Sequence, residues 1–421
     1  MSPPRDRSRP HDLVLWGATG FTGEIVAEYL VRWAAAHPDV GLRWALAGRN
    51  QAKLEQVRSR LVSIDPTAAE LPLITGDSHD RASLDAIARD ASVVCTTVGP
   101  YAQYGAELVA ACVEHGTDYC DLTGENHFIR RMIDAHQTAA EASGARIVNC
   151  CGFDSIPSDL GTLVLQDAAE KRHGRPCDRV TLYVDRVKGG MSGGTIASMK
   201  NLMEEAEKDP EVRRIFGHPY ALNPEGEREG PDGSDARGVG RSPDGRWTAP
   251  FVMAAINTRI VRRSNALLGY PYGRDFRYRE LQRFPAGPKG LAMATGFTAG
   301  LGAFAGAMAF GPTRKLLGDN VLPNPGEGPS RAEREAGYFK ITLEGQGTDQ
   351  GGRDVEVVAK VEGQQDPGYG ETAKMLSESA LCLALQGQEL SSGGGILTPA
   401  TAMGLTLVER LREAGMRFDV I

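Results

Sequence analysis

An apolar run near the start of the chain ends in regularly spaced glycines. Residues 13–16 read Leu-Val-Leu-Trp, and the motif Gly17-Ala18-Thr19-Gly20-Phe21-Thr22-Gly23 follows. In a strand–turn–helix unit, the first glycine allows a sharp turn, the second lets backbone N–H groups approach a pyrophosphate, and the third allows close helix packing. The helix N-terminus adds unpaired donors and a partial positive charge. We therefore predict a dinucleotide site at Gly17, Thr19, Gly20, Phe21, Thr22 and Gly23.

The end of the second predicted strand indicates which dinucleotide binds. It reads Leu46-Ala47-Gly48-Arg49-Asn50, with Lys53 one turn later. NAD sites place Asp or Glu here to hold the ribose 2′-hydroxyl, whereas Arg suits the 2′-phosphate of NADP. We predict NADP (NADPH) as the cofactor, with Arg49, Asn50 and Lys53 in its site. The alternative for Arg49 is a surface ion pair.

Two further strand ends carry predicted cofactor contacts. Asp77 follows the third strand and either borders the adenine or caps the next helix. The fourth strand opens into Val98, Gly99 and Pro100. This loop lies at the switch point of a doubly wound sheet, over the nicotinamide. We expect these three residues to offer backbone contacts and a flat wall.

The elements that position these residues follow from the rhythm of residues 12–150, where short apolar runs alternate with longer amphipathic stretches. This alternation is typical of βαβ units and predicts an α/β fold with a Rossmann-type, doubly wound parallel sheet. We predict strands at 12–16, 43–47, 71–74, 92–97, 119–122 and 146–149. Helices are predicted to start near Phe21, Asn50, Asp80, Gln103 and Asn126.

Beyond residue 150 the rhythm changes. We predict a helix at 158–172, a strand at 179–187, and a long polar surface loop, partly disordered, at 218–245. A hairpin at 338–344 and 354–362, an apolar helix at 369–386 and a last helix at 399–413 complete the prediction.

Composition excludes several classes of function. The chain has 421 residues and a formal net charge of -7, so nothing argues for a nucleic-acid partner. Its seven cysteines have no CxxC spacing and no clustered His partners, which favours reduced, buried thiols and predicts no metal site. Residues 1–11 lack an apolar core and are expected to be a disordered arm rather than a secretory signal. We therefore expect a cytoplasmic protein.

An uncharged, Gly/Ala-rich segment spans residues 290–313. Its length just suffices for a bilayer, but it is poor in Leu, Ile and Val, so insertion would gain little. Three alternatives stand: a buried or dimer-packing helix, a helix that contacts lipid at a membrane surface, and a true membrane span.

Several motifs together identify a family resemblance. They are Gly17–Gly23, Ala47–Arg49, Val98–Tyr101, Tyr119–Glu125, Gly152–Asp159, Asn257–Leu267 and Leu397–Ala400. The chain resembles the saccharopine dehydrogenase-like family, and over nearly its whole length its trans-acting enoyl reductase branch. The resemblance implies a cofactor domain over 12–150 that is completed by 396–421. It also implies an α+β substrate or dimerisation domain over 151–395 with a mostly antiparallel sheet.

Members of that branch reduce an acyl double bond beside polyketide synthases that build lipids. Such a reduction needs a hydride at the β-carbon of a thioester, a proton at the α-carbon, and a donor that stabilises the enolate. The catalytic candidates are Tyr101, Tyr104 and Asp154. Alternatively, the tyrosines only cover the sheet edge and Asp154 only caps a turn.

Two further segments carry weaker predictions. Ser192-Gly193-Gly194-Thr195 precedes a helix and would suit either an anion, such as the phosphate of a pantetheine arm, or a helix cap. Arg259, Arg262 and Arg263 would meet an acidic carrier protein or the thioester, or else form a structural salt-bridge cluster.

Three classes of function remain open at this point. The first is an NADPH-dependent reductase of an acyl thioester or lipid-like chain, with or without a carrier protein. The second is an NADP-dependent dehydrogenase of the saccharopine type. The third is a non-catalytic NADPH-binding protein that docks on a membrane or a partner. The apolar segment at 290–313 favours the first and third, and allows a homodimer or peripheral contact with the inner face of the membrane.

Overall fold

The computed structural model describes residues 9–189, 193–235, 238–314 and 328–421. In chain order its strands are β1 (His11–Trp16), β2 (Trp44–Gly48), β3 (Leu73–Thr75), β4 (Ala91–Thr96), β5 (Asp118–Cys120), β6 (Arg146–Val148), β7 (Arg179–Lys188), β8 (Gly240–Arg241), β9 (Trp247–Pro250), β10 (Arg277–Phe284), β11 (Tyr338–Thr348), β12 (Asp354–Gly363), β13 (Gly395–Leu397) and β14 (Arg417–Val420). Its helices are α1 (Phe21–Ala36), α2 (Gln51–Val62), α3 (Arg81–Asp90), α4 (Tyr101–Tyr104), α5 (Ala106–Glu114), α6 (Asn126–Ser143), α7 (Ile156–His173), α8 (Gly193–Lys208), α9 (Pro210–Gly217), α10 (Ala254–Leu267), α11 (Gly287–Ala309), α12 (Arg331–Glu335), α13 (Thr372–Gln386), α14 (Pro399–Ala402) and α15 (Gly404–Glu413). The chain divides into two compact units, and the first comprises residues 9–156, 328 and 368–414.

The first unit contains a seven-stranded sheet with the order β13-β6-β5-β4-β1-β2-β3. All its strand pairs are parallel, with Leu15 opposite Leu46 on one side and opposite Cys95 on the other. Strand β2 is buried along its whole length, as expected of a strand covered on both faces. The predicted Rossmann-type doubly wound sheet is confirmed.

The strand order reverses beside β1, because the chain moves outward through β2 and β3 and then returns to pair β4 on the other side. Parallel strands bring their carboxyl ends to one edge of the sheet. The loops after β1, β4, β5 and β6 therefore meet at this edge, which we call the carboxyl edge.

Helix α13 packs against β1, β4 and β5 of the first sheet and against α1 and α15. Residues 372–383 are all buried, polar ones included. The Glu378 carboxylate accepts hydrogen bonds from Tyr29 at 2.6 Å and from Arg410 at 2.8 Å. These donors explain how a helix with charged residues lies inside the unit, since buried charges need partners.

The return of the chain to the first unit differs from the predicted boundary. We expected residues 396–421 to complete the cofactor domain, but the chain returns at 368 and leaves after 414. The apolar helix at 369–386, which we had placed in the second domain, supplies core to the first sheet. Strand β14 instead pairs with β12 in the second sheet.

The second unit comprises residues 157–189, 193–235, 238–314, 329–367 and 415–421. Its sheet has the order β14-β12-β11-β7-β10-β9-β8. The β7–β10 pair is parallel and the other described pairs are antiparallel. This arrangement confirms the predicted α+β domain with a mostly antiparallel sheet.

Three arginines of α10 bind the described part of the polar stretch that begins near residue 218. Arg259 donates to the Phe216 carbonyl at 2.7 Å, and Arg262 donates to the Pro219 carbonyl at 3.0 Å and to Asp232 at 3.0 Å. Arg263 donates to the Leu222 carbonyl. These arginines are 1–3% exposed, so they form the structural cluster and do not present their charges to a carrier protein.

Helix α11 lies against β9 and β10, with the Phe297 ring 5.6 Å from the ring of Phe284. It is the helix within the described residues that is long and apolar enough to cross a membrane, yet only 11% of its most apolar window is buried. Leu291, Met293 and Phe297 are 38–44% exposed. The alternative of a helix buried within its own domain is therefore wrong, and an apolar surface remains.

Candidate dinucleotide-binding and active site

The glycine turn after β1 is built around Gly17. Its φ of +91° lies in the left-handed region. A Cβ at this position would lie 2.6 Å from Cγ2 of Val98, closer than carbon atoms approach. The Gly17 N–H donates to the Ala47 carbonyl at 2.9 Å and its carbonyl accepts from the Gly20 N–H at 3.0 Å. The predicted role of Gly17 in a sharp turn thus has a direct steric basis.

The other two glycines differ from each other in their surroundings. A Cβ at Gly23 would lie 2.1 Å from the Gly17 carbonyl oxygen, so α1 packs against the turn only without a side chain there. A Cβ at Gly20 would meet only that same oxygen, at 3.5 Å. Gly20 is the N-cap of α1 and no side chain caps this helix. The first turn of α1 therefore keeps donors for a pyrophosphate, and the residues present fit a dinucleotide.

Two exposed cations follow β2: Arg49 directly after the strand, and Lys53 in the first turn of α2. Neither side chain forms an ion pair within the part of the chain that the structure describes. The Asn50 side chain accepts the Lys53 N–H at 3.0 Å and caps α2. The surface ion pair that we considered for Arg49 is absent from the described residues, and this leaves its charge for a phosphate.

Asp77 lies after β3 in a tight turn. Its carboxylate accepts the His79 N–H at 2.9 Å, and its own N–H donates to the Ser83 hydroxyl at 3.0 Å. The cap of α3 is Asp80, which accepts the Ala82 N–H at 3.1 Å. Contact between Asp77 and the adenine stays a prediction.

The loop after β4 is tied to the glycine turn. The Thr97 hydroxyl donates to the Gly17 carbonyl at 3.2 Å, and the Val98 N–H donates to the Thr96 hydroxyl at 3.2 Å. Gly99 is exposed and Pro100 is partly exposed. Val98, Gly99 and Pro100 thus lie beside the predicted pyrophosphate site, as a nicotinamide wall requires, and their contacts with the cofactor stay a prediction.

The two candidate tyrosines have different surroundings. Tyr101 is 3% exposed, and its hydroxyl donates to the Thr96 carbonyl at 3.2 Å and accepts the Leu122 N–H at 3.4 Å. Burial raises its pKa well above the usual value. Tyr104 is partly exposed, with its ring 5.6 Å from that of His79. Of the two hydroxyls, that of Tyr104 is the one at the surface.

The buried carboxylate of Glu125, which the sequence analysis did not single out, fixes the start of α4. It accepts the Tyr101 N–H at 2.9 Å and the Ala102 N–H at 2.9 Å. These are the orphan donors of a helix N-terminus, so the carboxylate replaces a cap from 24 residues away. A Glu in the polar run after the fifth strand is the only sequence signal for this role.

Asp121, directly after β5, was also missed and is fully buried. Its Oδ2 accepts the Tyr119 hydroxyl at 2.9 Å and the Asn149 amide at 2.8 Å. Its Oδ1 accepts the N–H groups of Thr123 at 3.0 Å and Cys150 at 3.1 Å. Burial raises the pKa of Asp121 to about 6, although the hydrogen bonds act in the opposite direction.

Asp154 lies after β6, at the same carboxyl edge. It is partly exposed and precedes α7. Burial, and secondly the Asp121 carboxylate, raise the pKa of Asp154 to about 7. Because its carboxyl group is half protonated near neutral pH, Asp154 has the property of a general acid. The catalytic roles of Tyr101, Tyr104 and Asp154 stay predictions.

Residues 369–374, at the start of α13, also contact this edge. The sequence analysis had assigned them to the second domain. The Tyr369 ring lies edge-on to Phe21, 4.8 Å between centroids, at the start of α1. The Thr372 hydroxyl accepts the Phe153 N–H at 3.0 Å, next to Asp154. Lys374 pairs with the buried Glu371 at 3.1 Å. Residues 369–374 therefore contact both the glycine turn and the loop of Asp154.

Two other predictions concern anions and metals. The predicted anion site at Ser192-Gly193-Gly194-Thr195 lies outside the described residues, apart from the backbone of 193–195 at the start of α8. Within the described ranges, no cluster of His, Cys, Asp and Glu has the geometry of a metal site. All seven cysteines are free and buried.

Comparison with known proteins shows what the chain is similar to. Residues 13–148 match the saccharopine dehydrogenase NADP binding domain. Trans-acting enoyl reductases of Mycobacterium bovis and Mycobacterium tuberculosis are 42% identical over 99% of this chain and 98% of theirs. Another relative from M. tuberculosis is 43% identical over 97% of each chain. These matches confirm the predicted resemblance and NADP as the cofactor.

Among solved structures, apo saccharopine dehydrogenase (L-Glu forming) from Saccharomyces cerevisiae superposes with a TM-score of 0.56 at 13% identity. The match covers 97% of this chain and 99% of that one. At this identity the likeness concerns the fold alone.

We expect the preference for NADPH over NADH to depend on Arg49. A guanidinium on a phosphate makes charge-assisted hydrogen bonds worth roughly 1.5–3 kcal/mol, or about 10- to 100-fold in affinity. Calorimetric titration should show that Arg49→Ala loses this factor for NADPH and binds NADH unchanged. Arg32→Ala, which removes an exposed arginine from α1, is the matched control. Full NADPH preference in Arg49→Ala would contradict the assignment.

Gly20→Val should abolish NADPH binding and leave a cooperative fold, because its side chain fills the space of the pyrophosphate without a clash with the turn. The melting transition should lose the shift caused by NADPH, about 2.7 kcal/mol at a hundred-fold excess over the dissociation constant. Gly23→Ala is the contrasting variant. It should lower stability itself, by roughly 1–3 kcal/mol, because it overpacks the turn. An undiminished NADPH shift in Gly20→Val would place the phosphates elsewhere.

Proposed function

Since the chain belongs to the family of trans-acting enoyl reductases with a saccharopine dehydrogenase-type NADP-binding domain, we propose that it is an NADPH-dependent enoyl reductase of an acyl thioester in polyketide-type lipid synthesis. The observation that carries the proposal is 42% identity over nearly the whole length of both chains. The carboxyl edge adds what such a reaction needs, a dinucleotide cradle and a carboxyl group that is protonated near neutral pH.

The reduction adds a hydride and a proton across the double bond. NADPH, when bound, supplies the hydride to the β-carbon of the thioester and becomes NADP⁺. The α-carbon then needs a proton, and Asp154 donates it, leaving a carboxylate that solvent protonates again. One hydride and one proton are consumed for each double bond, so atoms and charge balance without a metal ion.

The tyrosines take supporting roles in this scheme. The partly exposed Tyr104 donates a hydrogen bond to the thioester oxygen, where negative charge develops in the transition state. Tyr101 holds the loop after β4, because its hydroxyl is bonded to Thr96 and Leu122. Val98, Gly99 and Pro100 border the nicotinamide, and Asp77 borders the adenine.

The acyl substrate is lipid-like, and α11 offers an apolar surface that suits contact with lipid. We propose that α11 contacts a second subunit or a lipid surface and does not span a membrane. Its attachment supports this choice, because the Trp247 indole donates to the Gly287 carbonyl at 2.9 Å and the helix lies against β9 and β10. The protein would then act in the cytoplasm, free or peripheral at the inner face of the membrane, with the acyl chain delivered on a carrier.

Incubation with NADPH and a panel of 2-enoyl thioesters should consume the reduced cofactor, measured by absorbance. Because Asp154 must be protonated, kcat should fall as pH rises above about 7, following its pKa. Asp154→Asn should lower kcat by roughly 10²- to 10⁴-fold, the usual contribution of a general acid, and leave NADPH affinity unchanged. The exposed Asp39→Asn should retain full activity. Full activity in Asp154→Asn would show that Asp154 is not the proton donor.

Cell fractionation tests the proposal for α11. The Gly/Ala-rich composition gives little insertion energy, so the protein should be found in the supernatant or be released by a salt or carbonate wash. Retention in the membrane pellet until detergent is added would refute it. A Phe297→Ser variant should reduce any wash-releasable fraction, since this side chain is 38% exposed on the apolar surface.

A further inference from the structure

The carboxylate that organises the carboxyl edge is not the one proposed to donate a proton. Asp121 lies directly after β5 and holds the first residues of the loop after β6. Besides the side-chain bonds, its backbone carbonyl accepts the Cys151 N–H at 2.7 Å. The loop is therefore bound to Asp121 through Asn149, Cys150 and Cys151 in succession.

The conformation of Cys150 makes this attachment necessary. Its φ of +63° lies in the left-handed region, which costs a non-glycine residue of order 1 kcal/mol. The Asp121 carboxylate accepts its N–H, and its thiol donates to the Thr123 carbonyl at 2.9 Å. These two bonds select the strained conformation, and the chain then runs through Gly152 and Phe153 to Asp154.

We propose that Asp121 is the positioning residue of the reaction: its carboxylate and backbone carbonyl fix the loop that presents Asp154, and its negative charge acts on Asp154 at the same edge of the sheet. The inference rests on the proposed function of Asp154. Asp121 itself is buried, so it does not touch the substrate and acts through its neighbour.

The charges around the pair support this division of roles. Asp121 has four hydrogen-bond donors that stabilise its ionised form, so it is the carboxylate that ionises first. Five other titratable groups near Asp121 and Asp154 have pKa values raised by burial and stay neutral; they are Tyr101, Tyr119, Cys120, Cys150 and Cys151. From α13, the Glu371–Lys374 ion pair lies on the segment whose Thr372 contacts Phe153.

Asp121→Asn is a suitable test because its hydrogen bonds can be kept. The amide oxygen replaces Oδ1 and still accepts from Thr123 and Cys150. The new NH₂ group replaces Oδ2, and the Oδ1 atom of Asn149, which is buried without a hydrogen-bond partner among the described residues, can accept from it after a flip of that amide. The Tyr119 hydroxyl can rotate to accept as well. The variant removes the charge and conserves the network.

Tyr119→Phe is the matched control. It removes one donor from the same Asp121 oxygen and keeps the negative charge. A purely structural role predicts no larger effect in Asp121→Asn than in Tyr119→Phe, whereas the proposed role of charge predicts that only Asp121→Asn changes the acidity of Asp154.

The first readout is the dependence of kcat on pH with the 2-enoyl thioester that the native protein accepts. In Asp121→Asn the pH at which kcat falls should be lower by about one unit, which is within the range for loss of a neighbouring like charge. The rate at pH 8 should drop about ten-fold as a result. In Tyr119→Phe the position of the fall should be unchanged, and NADPH affinity should be unchanged in both variants.

The second readout does not need activity. The protonated Asp154 carboxyl has a C=O stretching band, assigned by its loss in Asp154→Asn, and its titration can be followed by difference infrared spectroscopy in native protein and variants. An equal titration in native protein and Asp121→Asn would overturn the inference, as would a native Asp154 that titrates near pH 4. The latter result decides the matter even if Asp121→Asn does not fold. A native protein that reduces no enoyl thioester but shows the shifted titration would instead overturn the proposed function alone.

Discussion

The carbonyl of Gly17 is the point on which the cofactor domain depends. It accepts the N–H of Gly20 within the turn and the hydroxyl of Thr97 from the loop after β4, and it lies where a Cβ of Gly23 would be. One peptide group thus fixes the distance between β1, the first turn of α1 and the nicotinamide loop. This close contact places the N–H groups of the first turn of α1 where a phosphate can accept from them. The rest of the carboxyl edge is built outward from it, strand by strand.

Along that edge, three carboxylates have three different uses that follow from their hydrogen bonds. Glu125 satisfies the donors at the start of a helix, and Asp121 holds the backbone of a loop. Asp154 is partly exposed and has no comparable set of donors from the other described residues, and burial raises its pKa to about 7. Proton transfer is therefore expected at Asp154, the carboxyl group that does not hold a loop or a helix in place. The same contrast separates the buried hydroxyl of Tyr101 from the accessible one of Tyr104.

The sequence predicted the parts of this structure that are local. The six strands of residues 12–150, the glycine turn and the exposed cations after β2 depend on short-range patterns, and each was found within a few residues of its expected place. Asp121 and Glu125 were missed because a buried polar side chain looks the same in a sequence as a solvated one. The partners that define their roles lie 24 to 29 residues away, as in the Tyr101–Glu125 and Asp121–Cys150 pairs. Pairing at such separations cannot be read from one sequence. Helix α13 was predicted as a helix but assigned to the wrong domain for the same reason.

The placement of α13 also bears on biosynthesis. A ribosome makes a chain from its N-terminus at about 5–20 residues per second, and domains usually fold as they emerge. Here the face of the first sheet that α13 covers has no cover until residues 372–386 have been made, and the edge strand β13 comes later still. A nascent chain of about 160 residues therefore holds every nucleotide-binding motif and exposes apolar strands. The cofactor domain completes its core only after residue 397 has been made, so a chain interrupted before that point is a substrate for chaperones and proteases rather than a small functional nucleotide-binding protein.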